Sequence, residues 1–349
     1  MHDRNEEAAN NFTLLRLLLA LAVVLGHFKG LSGGDNTIFP FNLADAAVNS
    51  FFVVSGMLIA GSFDRSRGLL AFYTRRVFRL LPMYVFVVLA QTVIVLAMLP
   101  GGILSAPEQT LRYLAANLTF ANFLQPDIAG VLDPLLVQSI NPSLWTLKIE
   151  MAFYLVVPLI CFAVRRWGWG VLALIFVASA LFHAEMMHLG DARYAKQLPG
   201  QLQFFAVGMA LHWYGHRLRV GRGLAAVVCV LFLVVWTLFQ PLPSGLSPVV
   251  TGAFVFCFAL RLPVVRVRMD LSYSVYLLHA PLIQTTILLG LFRDTPAFLL
   301  AVVVVVLALS VGTEWLIEQP GNAFGKRLSR RLRRPGPIAP PPGYAAARH

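Results

Sequence analysis

The sequence predicts an all-helical membrane protein, a bundle of about ten transmembrane helices with both termini in the cytoplasm. Of its 349 residues, 58% are hydrophobic and 13% are charged, and the mean hydropathy is +0.72. Soluble domains carry about 25% charged residues. Apolar runs of about 20 residues, the length that crosses a bilayer, recur along the chain. These two observations exclude a soluble enzyme, a disordered chain and a disulfide scaffold.

Ten apolar runs are predicted to span the membrane. They cover residues 12–29, 44–63, 78–99, 143–164, 168–185, 200–215, 222–240, 246–261, 271–292 and 296–317. Cytoplasmic connections are rich in Lys and Arg. With the N-terminus inside, 21 of the 28 Lys and Arg residues fall on the cytoplasmic side and five on the other. This asymmetry explains the net charge of +12 without a nucleic-acid partner.

The chain divides into three predicted regions. Residues 1–11 form a cytoplasmic head, residues 12–324 the transmembrane domain, and residues 325–349 a basic, Pro-rich tail that we expect to be disordered. The long connection 100–142 is expected outside, and residues 111–123 within it read as an interfacial helix. The three cysteines lie in apolar runs without metal-ligand spacing, so we predict no metal site.

The first span carries two ionisable residues on one helical face. Arg16 and His27 are eleven residues apart, which is about 20° from three full turns and about 16 Å along the axis. Ionisable residues inside a membrane are costly, so each is a functional hypothesis. The structural alternative is a snorkelling arginine at one interface and an interfacial histidine at the other. Their shared face favours function.

Two later spans carry polar stripes. Ser143, Glu150 and Tyr154 share a face of the fourth span, and Glu150 lies deep enough to require a partner or a proton. It could simply form an ion pair with Arg16 or Lys148. In the ninth span, one helical face carries Ser272, Tyr276 and His279. This stripe is typical either of contacts between helices or, for His279, of catalysis.

Three arginines open the third span, namely Arg75, Arg76 and Arg79. Positive charge at the cytoplasmic end of a span anchors topology, and that alone would explain them. Guanidinium groups also bind phosphates through paired hydrogen bonds. The sequence has no P-loop, no dinucleotide-binding glycine motif and no serine-hydrolase elbow.

Five short motifs in order resemble the integral-membrane acyltransferase 3 family, from Leu14 to Pro320. They are Arg16-x10-His27, the Phe51-Phe52-x-x-Ser55-Gly56-x-Leu58-Ile59 stretch, the Arg75-Arg76-x-x-Arg79-x-x-Pro82 box, the Leu144-Trp145-x-Leu147-x-x-Glu150 box, and the Ser272-Tyr273-Ser274-x-Tyr276-Leu277-x-His279 stretch. Lys148 departs from the small or apolar residue usual in the family. The fused extracytoplasmic domain of some relatives is not found in this sequence.

The resemblance implies an O-acetyltransferase of the bacterial inner membrane. It would move an acyl group, expected to be acetyl, from cytoplasmic acetyl-CoA to a hydroxyl of an extracytoplasmic sugar, polysaccharide or glycolipid. Acetyl-CoA would be a co-substrate, with no tightly bound cofactor, and partners from polysaccharide assembly are a further expectation.

The resemblance also assigns roles within the site. His27 would be general base or acyl carrier, with Arg16 lining the route and Glu150 orienting the imidazole. Arg75, Arg76 and Arg79 would bind the donor phosphates. The supporting or substrate-binding residues would be Ser143, Trp145, Tyr154, Ser272, Tyr276 and His279. The alternative function is a carrier or flippase for a lipid-linked sugar, although the sequence lacks the internal repeat of many transporters.

Overall fold

The computed structural model describes residues 10–332 apart from 67, 103, 104 and 240, and the regular elements in this part of the chain are all helical. The helices are α1 (Phe12–Gly30), α2 (Ala44–Asp64), α3 (Leu69–Ala97), α4 (Pro107–Leu118), α5 (Leu144–Trp167), α6 (Gly170–His188), α7 (Ala192–Ala195), α8 (Leu198–Tyr214), α9 (Arg222–Leu238), α10 (Leu246–Leu260), α11 (Ser272–Leu288), α12 (Pro296–Thr313) and α13 (Gln319–Arg331). A π-helical turn, Glu314–Glu318, joins α12 to α13 without a break.

Each of the ten predicted spans overlaps one of these helices, and the largest difference is at α3, which begins at Leu69 and not at residue 78. Within the described residues, six helical segments are long and apolar enough to cross a membrane: Phe12–Gly30, Phe41–Asp64, Leu69–Ala97, Leu144–Trp167, Gly170–His188 and Pro296–Arg331. Helices α8 to α11 have 15 to 17 residues, which is short for a span. The all-helical, membrane-spanning class is therefore confirmed, while the count of ten and the cytoplasmic termini stay predictions.

The long connection before α5 contains the expected amphipathic helix, with different ends. It is α4, which begins at Pro107 and ends at Leu118, so the last five of the expected residues are outside it. Two polar contacts fix α4 to α3: the Tyr84 hydroxyl donates to the carbonyl of Asn117 at 2.5 Å, and Gln91 Nε2 donates to the Tyr113 hydroxyl at 2.9 Å.

The expected tail requires a correction at its start. Residues 325–331 are not disordered, because they continue α13 along the first half of α3. Glycines make this packing close: a side chain at Gly321 would meet the Pro82 ring at 2.8 Å, and one at Gly325 would meet Phe78 at 2.5 Å. Ser329 Oγ also donates to the carbonyl of Ala71 at 3.0 Å. The Pro-rich residues 333–349 lie outside the described part.

A glycine-mediated crossing holds α2 against α8. A Cβ atom on Gly56 would lie 2.4 Å from the carbonyl oxygen of Phe205, and one on Gly208 would lie 2.1 Å from that of Val53. Small residues let helices in a membrane approach closely enough for van der Waals packing. Ser55, the residue before Gly56, is thereby set into the wall of an internal cavity.

Candidate active site

An internal cavity lies between α1, α2, α3, α5 and α11. The volume of the cavity is about 100 Å³, and with the open solvent at its mouth the empty space is about 800 Å³. Its apolar wall is formed by Val48, Phe51, Phe52, Val54, Leu58, Ile59, Leu80 and Leu147, and its polar wall by Arg16, Ser55, Arg76, Arg79, Thr146, Glu150, Tyr154, Ser272, Tyr273 and Tyr276. Part of each sequence stripe on α1, α3, α5 and α11 therefore lines one space. Five predicted site residues are not among its wall residues in the described part of the chain, namely His27, Arg75, Ser143, Trp145 and His279.

At one end of the cavity, a carboxylate joins two arginines from different helices. Oδ2 of Asp270 lies 2.7 Å from an Nη of Arg16 on α1 and 3.1 Å from an Nη of Arg79 on α3. Ser272 Oγ donates to Oδ1 of Asp270 at 2.7 Å. We call Arg16, Arg76, Arg79 and Asp270 the arginine end. The proposed ion pair of Arg16 with Glu150 is thus replaced by one with Asp270.

A second polar group lies along the same wall. The Tyr154 hydroxyl donates to Oε1 of Glu150 at 2.5 Å, and Arg76 contacts Tyr154. Lys148 does not approach Glu150 as an ion-pair partner, because its ammonium lies over the Phe123 ring at 4.6 Å. Glu150 is therefore linked through Tyr154 to the arginines.

The three arginines of α3 do not share one environment. Arg76 and Arg79 line the cavity, whereas Arg75 donates to the Ser66 hydroxyl and to the carbonyl of Ser62 at the end of α2. Residues three apart lie on the same helical face, and the immediate neighbour lies about 100° away. Arg75 is therefore placed to fix α2 against α3, and the cavity receives the other two.

The last turn of α1 and the middle of α11 carry a histidine pair. Nδ1 of His27 lies 2.8 Å from Nε2 of His279, with the rings stacked at a centroid distance of 5.0 Å. Nδ1 of His279 lies 3.1 Å from the carbonyl oxygen of Val275. His279 is fully buried and His27 partly exposed. We call His27 and His279 the histidine end.

The hydrogen bonds of this pair define its tautomers. A carbonyl only accepts, so Nδ1 of His279 carries a proton and donates to Val275. In neutral His279, Nε2 then accepts, and the donor is Nδ1–H of His27. Nε2 of His27 is left with a free lone pair. We expected Glu150 to orient His27, but the residue that contacts its ring is His279.

Between the two ends lies a set of hydroxyl groups. Tyr276 on α11 shares a hydrogen bond of 2.8 Å with Thr146 on α5, and its ring packs edge-on against His279 at 6.1 Å. Ser143 Oγ is buried and has no hydrogen-bond partner among the described residues. Trp145 packs edge-on against Phe52 at 6.4 Å, with the Lys196 ammonium 5.8 Å from its ring.

This arrangement gives the site two chemically different ends. The arginine end can bind an anion through guanidinium N–H groups, and buried Nε atoms of Arg16 and Arg76 have no partner in the described part of the chain. The histidine end can accept a proton at His27 Nε2. Both ends are carried by α1, about 16 Å apart.

A family model described as an acyltransferase domain matches residues 10–315, which include the helices that form the cavity. The chain belongs to the acyltransferase 3 family. This acyltransferase is 28% identical to Nodulation protein 10 of Rhizobium leguminosarum bv. viciae, over 95% of this chain and 99% of the relative. It is 27% identical to an O-acetyl transferase of Shigella phage Sf6, over 85% of this chain and 91% of the relative.

A third relative carries the provisional name of a membrane-bound transacylase, BcsY, in Komagataeibacter xylinus. It is 28% identical, over 92% of this chain and 85% of the relative. No solved structure matches the sequence. The family and these relatives establish that the protein is a membrane O-acyltransferase, and they decide against the carrier interpretation.

The sequence interpretation missed one prominent residue of the acyltransferase site. Asp270 follows the basic residues of the α10–α11 connection and precedes α11, and no periodic pattern includes it. The available signal was a single acidic residue directly before the helix whose polar face carries Ser272, Tyr276 and His279. Its two arginine partners are 254 and 191 positions earlier in the chain, so only the packing of α1, α3 and α11 reveals them.

Proposed function

We propose that the protein transfers an acetyl group from cytoplasmic acetyl-CoA to a hydroxyl of an extracytoplasmic sugar, polysaccharide or glycolipid. It would act in the bacterial cytoplasmic membrane, alone or with partners from polysaccharide assembly. The observation that carries this proposal is the pairing of an arginine end and a histidine end that share helix α1. Acetyl as the acyl group is supported by the name of the phage relative, an O-acetyl transferase.

The donor phosphates would bind at the arginine end. Arg16, Arg76 and Arg79 line the cavity, and guanidinium groups bind phosphates through paired, charge-assisted hydrogen bonds. The apolar wall formed by α2 and α5 would accommodate the uncharged arm of the donor, with its thioester directed toward the histidine end. Acetyl-CoA is consumed in this scheme, so no resident cofactor is part of the proposal.

His27 would act as the general base. Its Nε2 removes the proton of the acceptor hydroxyl, and the oxygen attacks the thioester carbonyl carbon. The carbon–sulfur bond then breaks, and the proton passes from Nε2 to the departing sulfur. In the covalent alternative, Nε2 itself attacks the thioester carbonyl carbon and the CoA thiolate leaves. The acceptor oxygen then attacks the acyl-imidazole, the bond between the acyl carbon and Nε2 breaks, and the hydroxyl proton passes to the CoA thiolate. Trapping of a labelled acyl group on His27 would distinguish the second route.

The remaining polar residues would position the reactants. Glu150 and Tyr154 would hold Arg76 in place through their hydrogen bonds. Ser143, with its unpaired buried hydroxyl, and Trp145 are the proposed contacts for the acceptor, because an aromatic face and a hydroxyl are suited to a sugar. His279 would hold His27 in the tautomer that leaves Nε2 free.

The test is acetyl transfer by purified protein in liposomes, with labelled acetyl-CoA and a glycan acceptor. His27→Ala should lower the rate by roughly 10²–10⁴-fold, the usual contribution of a general base. Direct CoA binding should stay within about twofold, because the arginine end is unchanged. The matched control is His183→Ala, which removes a histidine bonded to Ser244 outside the cavity and should retain transfer. Transfer at the wild-type rate by folded His27→Ala protein would contradict the mechanism.

A further inference from the structure

Asp270 is a carboxylate that binds the two arginines without lining the cavity they face. Arg16, Arg79 and Ser272 all contribute to the cavity wall, and each of them contacts Asp270. Asp270 itself is not among the wall residues of the described chain. The carboxylate therefore contacts three wall residues without forming part of the wall.

The contacts of Asp270 leave the arginines able to bind a second anion. Each arginine uses one Nη for the carboxylate, while a guanidinium has five N–H donors. Two guanidinium groups in a partly buried site repel one another, and a shared carboxylate offsets that repulsion. The side-chain exposures of Arg16, Asp270 and Arg79 are 18%, 24% and 30%, so water screens these charges only partly.

Asp270 is itself held by its position in the chain. It lies two residues before the start of α11, and the Ser272 hydroxyl from the first turn of that helix fixes its Oδ1. Its Oδ2 joins α1 to α3. A single carboxylate thus sets the relative positions of three helices at the arginine end.

We infer that Asp270 is the positioning residue that holds Arg16 and Arg79 together as one phosphate-binding pair. The inference rests on the proposed function, in which these arginines bind the donor. Asp270 acts through them and touches neither donor nor acceptor. Its removal should therefore change donor binding, while the chemistry at His27, at the other end of α1, stays nearly the same.

The experiment compares Asp270→Asn with wild type in liposomes over a range of acetyl-CoA concentrations. The expected result is a rise of at least tenfold in KM for acetyl-CoA, with kcat within about threefold. Asp270→Glu retains the charge and should restore most of the affinity. Ser272→Ala removes both the hydrogen bond to Asp270 and a hydroxyl of the cavity wall, and it should raise KM by a smaller factor. It serves as the readout if Asp270→Asn does not fold.

Asp64 provides the matched control. It is a similarly enclosed carboxylate, which accepts hydrogen bonds from Arg165 at 2.6 Å and Trp213 at 2.7 Å away from the cavity. Asp64→Asn should lower the unfolding temperature and leave KM for acetyl-CoA within twofold. If Asp270→Asn behaves in the same way, Asp270 is only a structural ion-pair partner. A lower KM in Asp270→Asn would also overturn the inference, because the carboxylate would then be competing with the donor.

Failure of the proposed function would give a different result. Wild-type protein would show no transfer that depends on acetyl-CoA. Direct titration of CoA into His27→Ala protein, with and without Asp270→Asn, measures the positioning role without any turnover. An unchanged dissociation constant in that comparison contradicts the inference, whereas a tenfold weaker one supports it.

Discussion

His279 determines which nitrogen of His27 is free, and this gives a prediction at the scale of one residue. The Nε2 atom of His279 accepts from Nδ1 of His27 at 2.8 Å. His279→Gln keeps an acceptor near that point, and His279→Leu removes it. Transfer should fall more in the leucine variant than in the glutamine variant. Both losses should be smaller than that of His27→Ala, because His279 only orients the base.

The measurement is the rate of acetyl transfer at saturating acetyl-CoA, with unfolding temperatures recorded for all variants. His279 is fully buried, so part of any loss could come from stability. The glutamine and leucine variants have similar volumes, which makes their difference a measure of the hydrogen bond. Equal rates in the two would show that the tautomer of His27 is set elsewhere.

At the scale of the element, the face of α3 decides what each arginine does. Arg76→Gln removes a cation from the cavity wall, whereas Arg75→Gln removes one that is bonded to Ser66 and Ser62. A hydrogen bond to a charged group contributes about 1.5–3 kcal/mol. KM for acetyl-CoA should therefore rise by about tenfold or more in Arg76→Gln and by less in Arg75→Gln. A larger rise in KM for Arg75→Gln than for Arg76→Gln would place the donor at the end of α2.

The crossing of α2 and α8 gives a prediction about stability. In Gly208→Ala the new methyl group would lie 2.1 Å from the carbonyl oxygen of Val53, so the two helices must separate. Forcing extra atoms into a packed interface costs about 1–3 kcal/mol. The unfolding temperature should fall, and donor affinity should fall with it, since α2 forms one cavity wall.

Gly312→Ala is the control for this substitution. Gly312 lies in α12, and an added Cβ there has no neighbour within 4 Å. Its unfolding temperature should not fall. If Gly208→Ala and Gly312→Ala unfold at similar temperatures, helices α2 and α8 can move apart without loss of stability. Their close approach would then have no structural role.

The sequence predicted the positions of the helices better than the contacts between their side chains. Each of the ten apolar runs overlaps a helix, because length and composition determine where helices form in such a chain. The shared faces of Arg16 with His27, and of Ser272 with His279, follow from helical periodicity. The contacts of Arg16 with Asp270 and of His27 with His279 could not be predicted, because they depend on how helices that are distant in sequence pack together. The start of the tail was missed because its basic residues resemble a disordered segment, whereas Gly321 and Gly325 pack against α3.

At the scale of the whole molecule, the distribution of basic residues predicts the topology. Reporter fusions should place the connection between α2 and α3, residues 65–68, inside and the 100–142 connection outside, because Lys and Arg are retained on the cytoplasmic side. A fusion after Arg222 should report the inside. An outside signal there would mean that an odd number of spans precedes the fusion, and the short helix α8 would then be the one that does not cross.

Helix α1 is one uninterrupted rod that carries the Arg16 guanidinium near its first turn and the His27 imidazole near its last. Because a helix neither stretches nor shortens, under the proposed function this rod would set a minimum length for the acyl donor, about 16 Å between its charged group and its reactive carbonyl. Acetyl phosphate, in which the two groups are adjacent, should therefore fail as a donor even at high concentration. The protein would thus discriminate among activated acetyl groups by their size rather than by their reactivity.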